Sequence, residues 1–131
     1  MNDRMKTFYT ITLLLSICTG VISKELCDVR NANGLDPKSQ KCDIEYVSTT
    51  PRVYRAACGT TAAFDFSPGS GVKFGKALVT NFISKTVQFS VETEGDDGKL
   101  RYYHVTARPN QGCYVTMGPT QVISEVHWIT I

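Results

Sequence analysis

The chain has 131 residues, 14 Lys and Arg, 12 Asp and Glu, and a formal net charge of +2. This length is typical of a single domain, and the near-balanced charge provides no broad basic field, so nucleic acid is not an expected partner. A hydrophobic fraction of 42% is sufficient for a packed core and argues against wholesale disorder. The cysteine count of five is odd, which does not suit a disulfide-stabilised domain.

The N-terminus has the pattern of a secretory signal peptide. Two basic residues precede an apolar run at residues 7–18, which is shorter than the roughly 20 residues that span a bilayer and fits the apolar centre of a signal. We place the cleavage after Ser23, with Gly20 as the second choice; the alternative is a buried N-terminal helix. Cleavage leaves 108 residues, a net charge of +1 and four cysteines, the even number expected for two disulfides in a secreted chain. A second apolar run of about 20 residues does not follow, so we expect no membrane association.

Residues 24–50 are predicted to form a polar N-terminal arm. Asn33-Gly34 and Asp36-Pro37 are strong turn dipeptides, and we interpret the whole segment as a loop. If Cys27 and Cys42 bonded to each other, they would close a loop of about 16 residues and stabilise the fold by roughly 3 kcal/mol. Four cysteines allow three connectivities, and the spacing alone does not choose among them.

Residues 51–131 are predicted to form an all-β domain. The clearest element is a strand in which Val87, Phe89 and Val91 alternate with polar residues. Asp97-Gly98 predicts the tight turn that follows it. The return strand at residues 100–108 should place Tyr103 and Val105 on one face, with Tyr102 and His104 on the other.

Four further segments are predicted to be strands. They cover residues 55–66, 72–83, 113–117 and 122–131, the last with Val126 and Trp128 on one face. The segment 72–83 either carries a bulge at Gly75 or forms a short helix at 75–82. About six closely spaced strands indicate a small antiparallel sandwich or barrel.

Catalytic groups are few. A secreted ribonuclease of the fungal guanyl-specific type would need a base, an acid and a phosphate-binding Arg, and the available side chains are Glu92 or Glu94, Arg101 or Arg108, and His104 or His127. Phe64-Asp65-Phe66 is similar to a segment of those ribonucleases, but Ala62 stands where that family has its catalytic Glu. We therefore expect no enzymatic activity, with a catalytically degenerate ribonuclease-like protein as the alternative. Metal-ligand and phosphate-loop spacings are also missing, so no metal and no cofactor are expected.

A family resemblance appears in the order of strands and cysteines. Cys58 lies near the first strand of the body, Cys113 precedes a short strand after the hairpin, and Trp128 lies in the last strand. Over about residues 53–131 this pattern resembles the MAX effectors, the avirulence-protein and ToxB-like family of plant-pathogenic fungi. The resemblance implies a six-stranded antiparallel β-sandwich of two three-stranded sheets, with Cys58 bonded to Cys113. Such a bridge would contribute roughly 4 kcal/mol.

The resemblance also implies a function. It predicts a secreted, non-enzymatic virulence effector that acts outside the fungus or after entry into the host cell, and that is recognised by plant immune receptors. The implied partner is a host protein, such as a small heavy-metal-associated domain or an immune receptor, bound by a monomer.

The strand at residues 100–108 is the predicted binding surface. Open sandwiches leave strand edges to which a partner strand can add, and aromatic and Arg side chains are the usual interface anchors. The candidates are Arg101, Tyr102, His104 and Arg108. The alternative for Tyr102 is that it only packs on a neighbouring strand.

Overall fold

The computed structural model describes residues 25–49, 52–66, 76–116 and 122–131. The predicted signal peptide at residues 1–23 and the proposed bulge at Gly75 lie outside these ranges. The described residues form ten strands: β1 (Asp28–Ala32), β2 (Gln40–Lys41), β3 (Asp43–Thr49), β4 (Arg52–Cys58), β5 (Ala62–Phe66), β6 (Lys76–Asn81), β7 (Val87–Glu94), β8 (Leu100–Ala107), β9 (Gly112–Thr116) and β10 (Val122–Thr130). Within these ranges no helix occurs, so none could cross a membrane. The all-β prediction is confirmed, and the alternative of a helix at residues 75–82 is wrong because β6 occupies most of that segment.

The strands build two five-stranded sheets. The first sheet has the order β1-β8-β7-β10-β2 and the second has the order β3-β4-β5-β6-β9. Every pair of neighbouring strands is antiparallel. The sandwich prediction is therefore correct in class, but each sheet is larger than the three strands that the resemblance implied.

The core lies between the two sheets and follows the period of two along each strand. In β7, Val87, Phe89 and Val91 are fully buried, as their alternation predicted. Phe89 meets Phe64 of the second sheet edge to face, with ring centroids 5.5 Å apart. This aromatic contact joins the two layers at their centre.

The N-terminal arm contains strands as well as a loop, so its interpretation as a loop throughout is wrong. β1 pairs with β8, β2 pairs with β10, and β3 pairs with β4. Except for β4, these partner strands are distant in sequence, so local turn signals do not reveal the pairing. The pairing satisfies the backbone hydrogen-bonding groups of the arm. The turn signals are correct only for residues 33–39, which connect β1 to β2.

The segment 55–66 is also two strands rather than one. Gly59 adopts a φ of 60°, a left-handed conformation that glycine adopts at little cost. The N–H of Thr61 donates to the carbonyl of Cys58 at 3.1 Å, which closes the turn between β4 and β5. Ala and Thr around this turn gave no strong signal for a break in the strand.

The disulfides pair differently from the expectation. The bonds are Cys27–Cys113 and Cys42–Cys58, so both the Cys27–Cys42 loop and the implied Cys58–Cys113 bridge are wrong. Cys58 ends β4 and Cys113 lies in β9, and β5 and β6 separate these strands in the second sheet. Three strand spacings amount to about 14 Å, beyond the roughly 7 Å that a disulfide can span between Cα atoms.

Each disulfide instead lies where the chain crosses from one sheet to the other. The N–H of Cys27 donates to the carbonyl of Tyr114 in β9 at 2.9 Å, and the next residue begins β1 of the first sheet. The N–H of Cys42 donates to the carbonyl of Val126 in β10 at 2.8 Å, and the next residue begins β3 of the second sheet. The two crossings lie at opposite edges of the sandwich, and each is fixed by a covalent bond.

Candidate functional site

The structure does not bring the four predicted binding residues together. Arg101 lies near the start of β8 and Arg108 directly follows its end, about 24 Å away along the strand direction. Arg101 donates to Asp97 in the β7–β8 turn at 3.0 Å, and this hydrogen bond raises the pKa of the guanidinium while it lowers the pKa of Asp97. Arg108 donates to Glu25 at 2.9 Å. Each Arg is therefore held by a local carboxylate, and the two do not share a surface.

Tyr102 and His104 do share the outer face of the first sheet. Tyr102 is half-buried and lies opposite Glu92 of β7. Its hydrogen bond with Glu92 raises the pKa of the phenol. The hydroxyl of Ser124 donates to the same carboxylate at 2.8 Å. Tyr102 is thus part of a polar network on its own sheet, which agrees with the alternative that it packs on a neighbouring strand.

The connection between β1 and β2 covers part of this outer face. These two strands are the opposite edges of the first sheet, so residues 33–39 must pass across it. The N–H of Asp36 donates to the hydroxyl of Ser90 in central β7 at 3.2 Å, and Ser90 is buried. His104 lies beside Ser90 in the β7–β8 ladder, and its Nε2 atom is buried with no hydrogen-bond partner among the described residues. His104 is therefore less available to a partner than its sequence position suggested.

The two histidines are not arranged as an acid–base pair. His104 and His127 flank Ser90 on β8 and β10, which places them two strand spacings, about 10 Å, apart. The Nε2 atom of His127 lies 2.8 Å from Glu125, and this hydrogen bond lowers the pKa of the carboxyl. Because Arg101 and Arg108 are held elsewhere, the described residues do not assemble the base, acid and Arg of the ribonuclease alternative. The part of the chain that is described also holds no group of three or more potential metal ligands.

Three exposed apolar side chains lie close together on β3, at the edge of the second sheet. Ile44, Tyr46 and Val47 are 39%, 53% and 49% exposed. Ile44 and Tyr46 lie opposite Ala56 and Tyr54, so they belong to the inner face of the sheet. They stay exposed because the facing edge strand, β2, is only two residues long. Among the described strands, β3 has a neighbour only on its β4 side.

Three cross-strand rows end at this edge. The first row is Phe66, Tyr54 and Tyr46, whose successive ring centroids are 6.0 and 5.5 Å apart. The second row is Asp65, Arg55 and Glu45, and the third is Phe64, Ala56 and Ile44. Each row runs from β5 to β3 and ends in a solvent-exposed side chain. We call residues 43–46 of β3 the open edge.

A shallow groove lies at the opposite side of the sandwich. It is lined by Leu26, Cys27, Val29, Tyr114 and Thr116 and has a volume of about 260 Å³. Ligand pockets usually enclose about 300–1,000 Å³. The groove is large enough for an aliphatic side chain but small for a typical cofactor or substrate.

The open edge was not predicted from the sequence because Ile44 and Tyr46 lie in the segment interpreted as a loop. The signal was present, since Asp43, Ile44, Glu45 and Tyr46 alternate polar and apolar residues with the period of a strand. The nearby turn dipeptides concealed this short pattern.

Comparison with known proteins gives no relative. No family model matches the chain, and neither a curated protein nor a solved structure is significantly similar to it.

Proposed function

We propose that this protein is a secreted, non-enzymatic binding protein that recognises a partner protein by strand addition at the open edge of β3. Its target is a host protein, and its role is that of a virulence effector of a plant-pathogenic fungus. The observation that carries the binding role is the open edge itself, an edge strand with exposed Ile44 and Tyr46. Backbone groups on such an edge can pair with an added strand, while the apolar side chains supply buried area.

Secretion is supported by the two disulfides. Such bonds persist in oxidising compartments and are rare in the cytosol, and all four cysteines of the described residues are bonded. The predicted signal peptide agrees with this location.

The host-directed role is taken from the resemblance to the MAX effectors. Because Cys58 bonds to Cys42 instead of Cys113, the resemblance depends on the all-β sandwich and the order of strands alone. Recognition by an immune receptor or a heavy-metal-associated domain is part of this proposal.

The ribonuclease-like alternative receives less support. A two-sheet sandwich differs from the sheet with a packed helix that such a ribonuclease would show, and its two candidate Arg residues are held by Asp97 and Glu25. An RNA cleavage assay on wild type, His104→Ala and His127→Ala tests it. Cleavage that disappears with either substitution would favour the ribonuclease and contradict the binding role.

The binding role is tested by affinity capture from host plant extract. Tyr46→Lys places a charge at the open edge and should abolish retention of any specific host protein. Val29→Lys is the matched control, because Val29 is 40% exposed on β1, the edge strand of the other sheet. Retention that is equal for wild type and Tyr46→Lys, or that is lost only with Val29→Lys, would show that the open edge is not the binding surface.

A further inference from the structure

The open edge carries a charge pattern as well as an apolar one. In the second cross-strand row, Arg55 donates to both oxygens of Asp65 at 2.7 and 3.0 Å. Asp65 raises the pKa of Arg55, first through these hydrogen bonds and then through its charge, and the nearby Glu45 raises it further. The row therefore alternates negative, positive and negative from β5 to β3. The row ends at Glu45, which is exposed. Among the described strands, its cross-strand neighbour is Arg55 on the β4 side.

A strand added to β3 would extend each row by one residue. Directly opposite residues on antiparallel strands have Cβ atoms about 4.5–5.5 Å apart, and opposite charges at these positions attract while like charges repel. The position opposite Glu45 therefore favours a cation. The positions opposite Ile44 and Tyr46 lie on the inner face and favour apolar or aromatic side chains.

We propose that the partner of the open edge is an extended protein segment with Lys or Arg between two apolar residues, and that Glu45 selects the basic residue. This inference rests on the proposed strand addition and specifies the chemistry of its partner. The segment is short, because the β3–β4 register shifts between Tyr46 and Ser48, and such a bulge interrupts regular pairing. The regular part of the edge is residues 43–46.

A second copy of this chain fits the open edge poorly. When residues 43–46 of two copies pair antiparallel with their outer faces on the same side, Glu45 lies opposite Glu45 or opposite Asp43. Both arrangements place carboxylates next to carboxylates. The charge pattern therefore selects a different, basic chain rather than self-association.

The test uses hairpin peptides that present one preformed strand. An Asn-Gly turn fixes the hairpin, and its outer strand carries Val-Xaa-Val flanked by Thr, with Arg, Gln or Glu as Xaa. Fluorescence anisotropy of labelled peptides against the wild-type protein should rank them Arg, then Gln, then Glu. The Arg and Glu peptides should differ by between about 2-fold and 30-fold in Kd at low salt, and the difference should shrink in high salt.

Two charge variants identify the selecting residue. Glu45→Lys should invert the ranking, so that the Glu peptide binds most tightly. Glu94→Lys makes the same charge change at an exposed residue of β7 and should leave the ranking as in wild type.

The outcomes separate this inference from the proposed function. If peptides bind and Tyr46→Lys abolishes binding, but Glu45→Lys keeps the wild-type ranking, the charge selection is refuted while strand addition stands. If no peptide binds and Tyr46→Lys still captures the host protein, both proposals are refuted. If sedimentation shows a dimer that Tyr46→Lys dissociates, the occupant is a second copy and the basic-segment inference is refuted.

Discussion

The two disulfides should stabilise the fold unequally, because they close loops of very different length. Cys27–Cys113 spans a sequence separation of 86 residues, and Cys42–Cys58 spans 16. In the chain-entropy model these closures correspond to about 4.6 and about 3.1 kcal/mol at 25 °C. All four cysteines are buried, at 7% exposure or less, so the packing loss on conversion to Ala is similar for the two pairs. The free energies of unfolding of the two variants that each lack one disulfide should therefore differ by about 1.5 kcal/mol.

The assay is urea unfolding of two double variants, Cys27→Ala/Cys113→Ala and Cys42→Ala/Cys58→Ala. Trp128 is the only tryptophan of the chain, and it packs against the core, so its fluorescence reports loss of tertiary structure. Far-UV circular dichroism gives an independent curve, and coincidence of the two supports a two-state analysis. We expect both variants to be less stable than wild type, with the greater loss in the variant that lacks Cys27–Cys113.

A greater loss of stability on removal of Cys42–Cys58 than on removal of Cys27–Cys113 would contradict the dependence on loop length. Peptide mapping under non-reducing conditions is the necessary control, and it should show these two pairs in the wild-type protein. Detection of Cys27–Cys42 together with Cys58–Cys113 would contradict the sheet topology itself.

Three further predictions concern the core, a buried amide and one surface pair. Phe64→Ala removes a fully buried ring that contacts Phe89 of the other sheet. The substitution should lower the free energy of unfolding by about 3–5 kcal/mol in a urea titration. A loss below about 1 kcal/mol would contradict the packing between the sheets. The Asn81 side-chain amide donates to the carbonyls of residues 85, 107 and 108 at 2.8, 3.2 and 2.9 Å. Asn81→Ala should lower the free energy of unfolding by at least about 2 kcal/mol in the same assay, because these carbonyls lose their donor. A near-neutral effect would show that water replaces the amide as the donor. The hydrogen bond with His127 lowers the pKa of Glu125 below its ordinary value of 4.5. The contribution of this carboxylate to folding stability is therefore present above about pH 4.5 and is lost as the pH falls through the lowered pKa. Glu125→Gln should therefore measurably reduce the acid-dependent loss of stability, by up to about 1 kcal/mol, in melts from pH 6 to pH 3, and an unchanged pH dependence would contradict the pair.

The sequence predicted those elements whose pattern is local. Val87, Phe89 and Val91 alternate regularly, and Asp97-Gly98 supplies a turn in which Gly98 adopts a φ of 75°. The β7–β8 hairpin was therefore predicted, and the two C-terminal strands β9 and β10 were found for the same reason.

Pairing between distant segments could not be predicted from local patterns. β1 is polar and exposed along most of its length, so it has little apolar alternation to reveal a strand. Its partner β8 lies about 70 residues further along the chain, and this pairing also decides which cysteine lies near Cys27. The error in the disulfides follows from the same missing information.

For the candidate site, the sequence predicted the type of surface but not its location. Strand edges and aromatic anchors were expected, but on β8, a strand with neighbours on both sides. Tyr102 and His104 have the chemical character of binding residues, yet their environment depends on Glu92 and on residues 33–39, which only the assembled sheet brings near. Tyr46 escaped attention because a four-residue alternation is weak beside strong turn signals.

The two disulfide-bonded crossings between the sheets have a consequence for the order in which the protein matures. Cys27 and Cys42 are the first two of the bonded cysteines to be synthesised, and they meet within a short, flexible segment long before Cys113 exists. A transient Cys27–Cys42 bond can therefore form before either native pair is complete, although the folded sandwich excludes it. The native pairs then require thiolate attack on that bond and exchange. Oxidative folding of this chain should accordingly be slow without a disulfide isomerase and should accelerate when one is supplied.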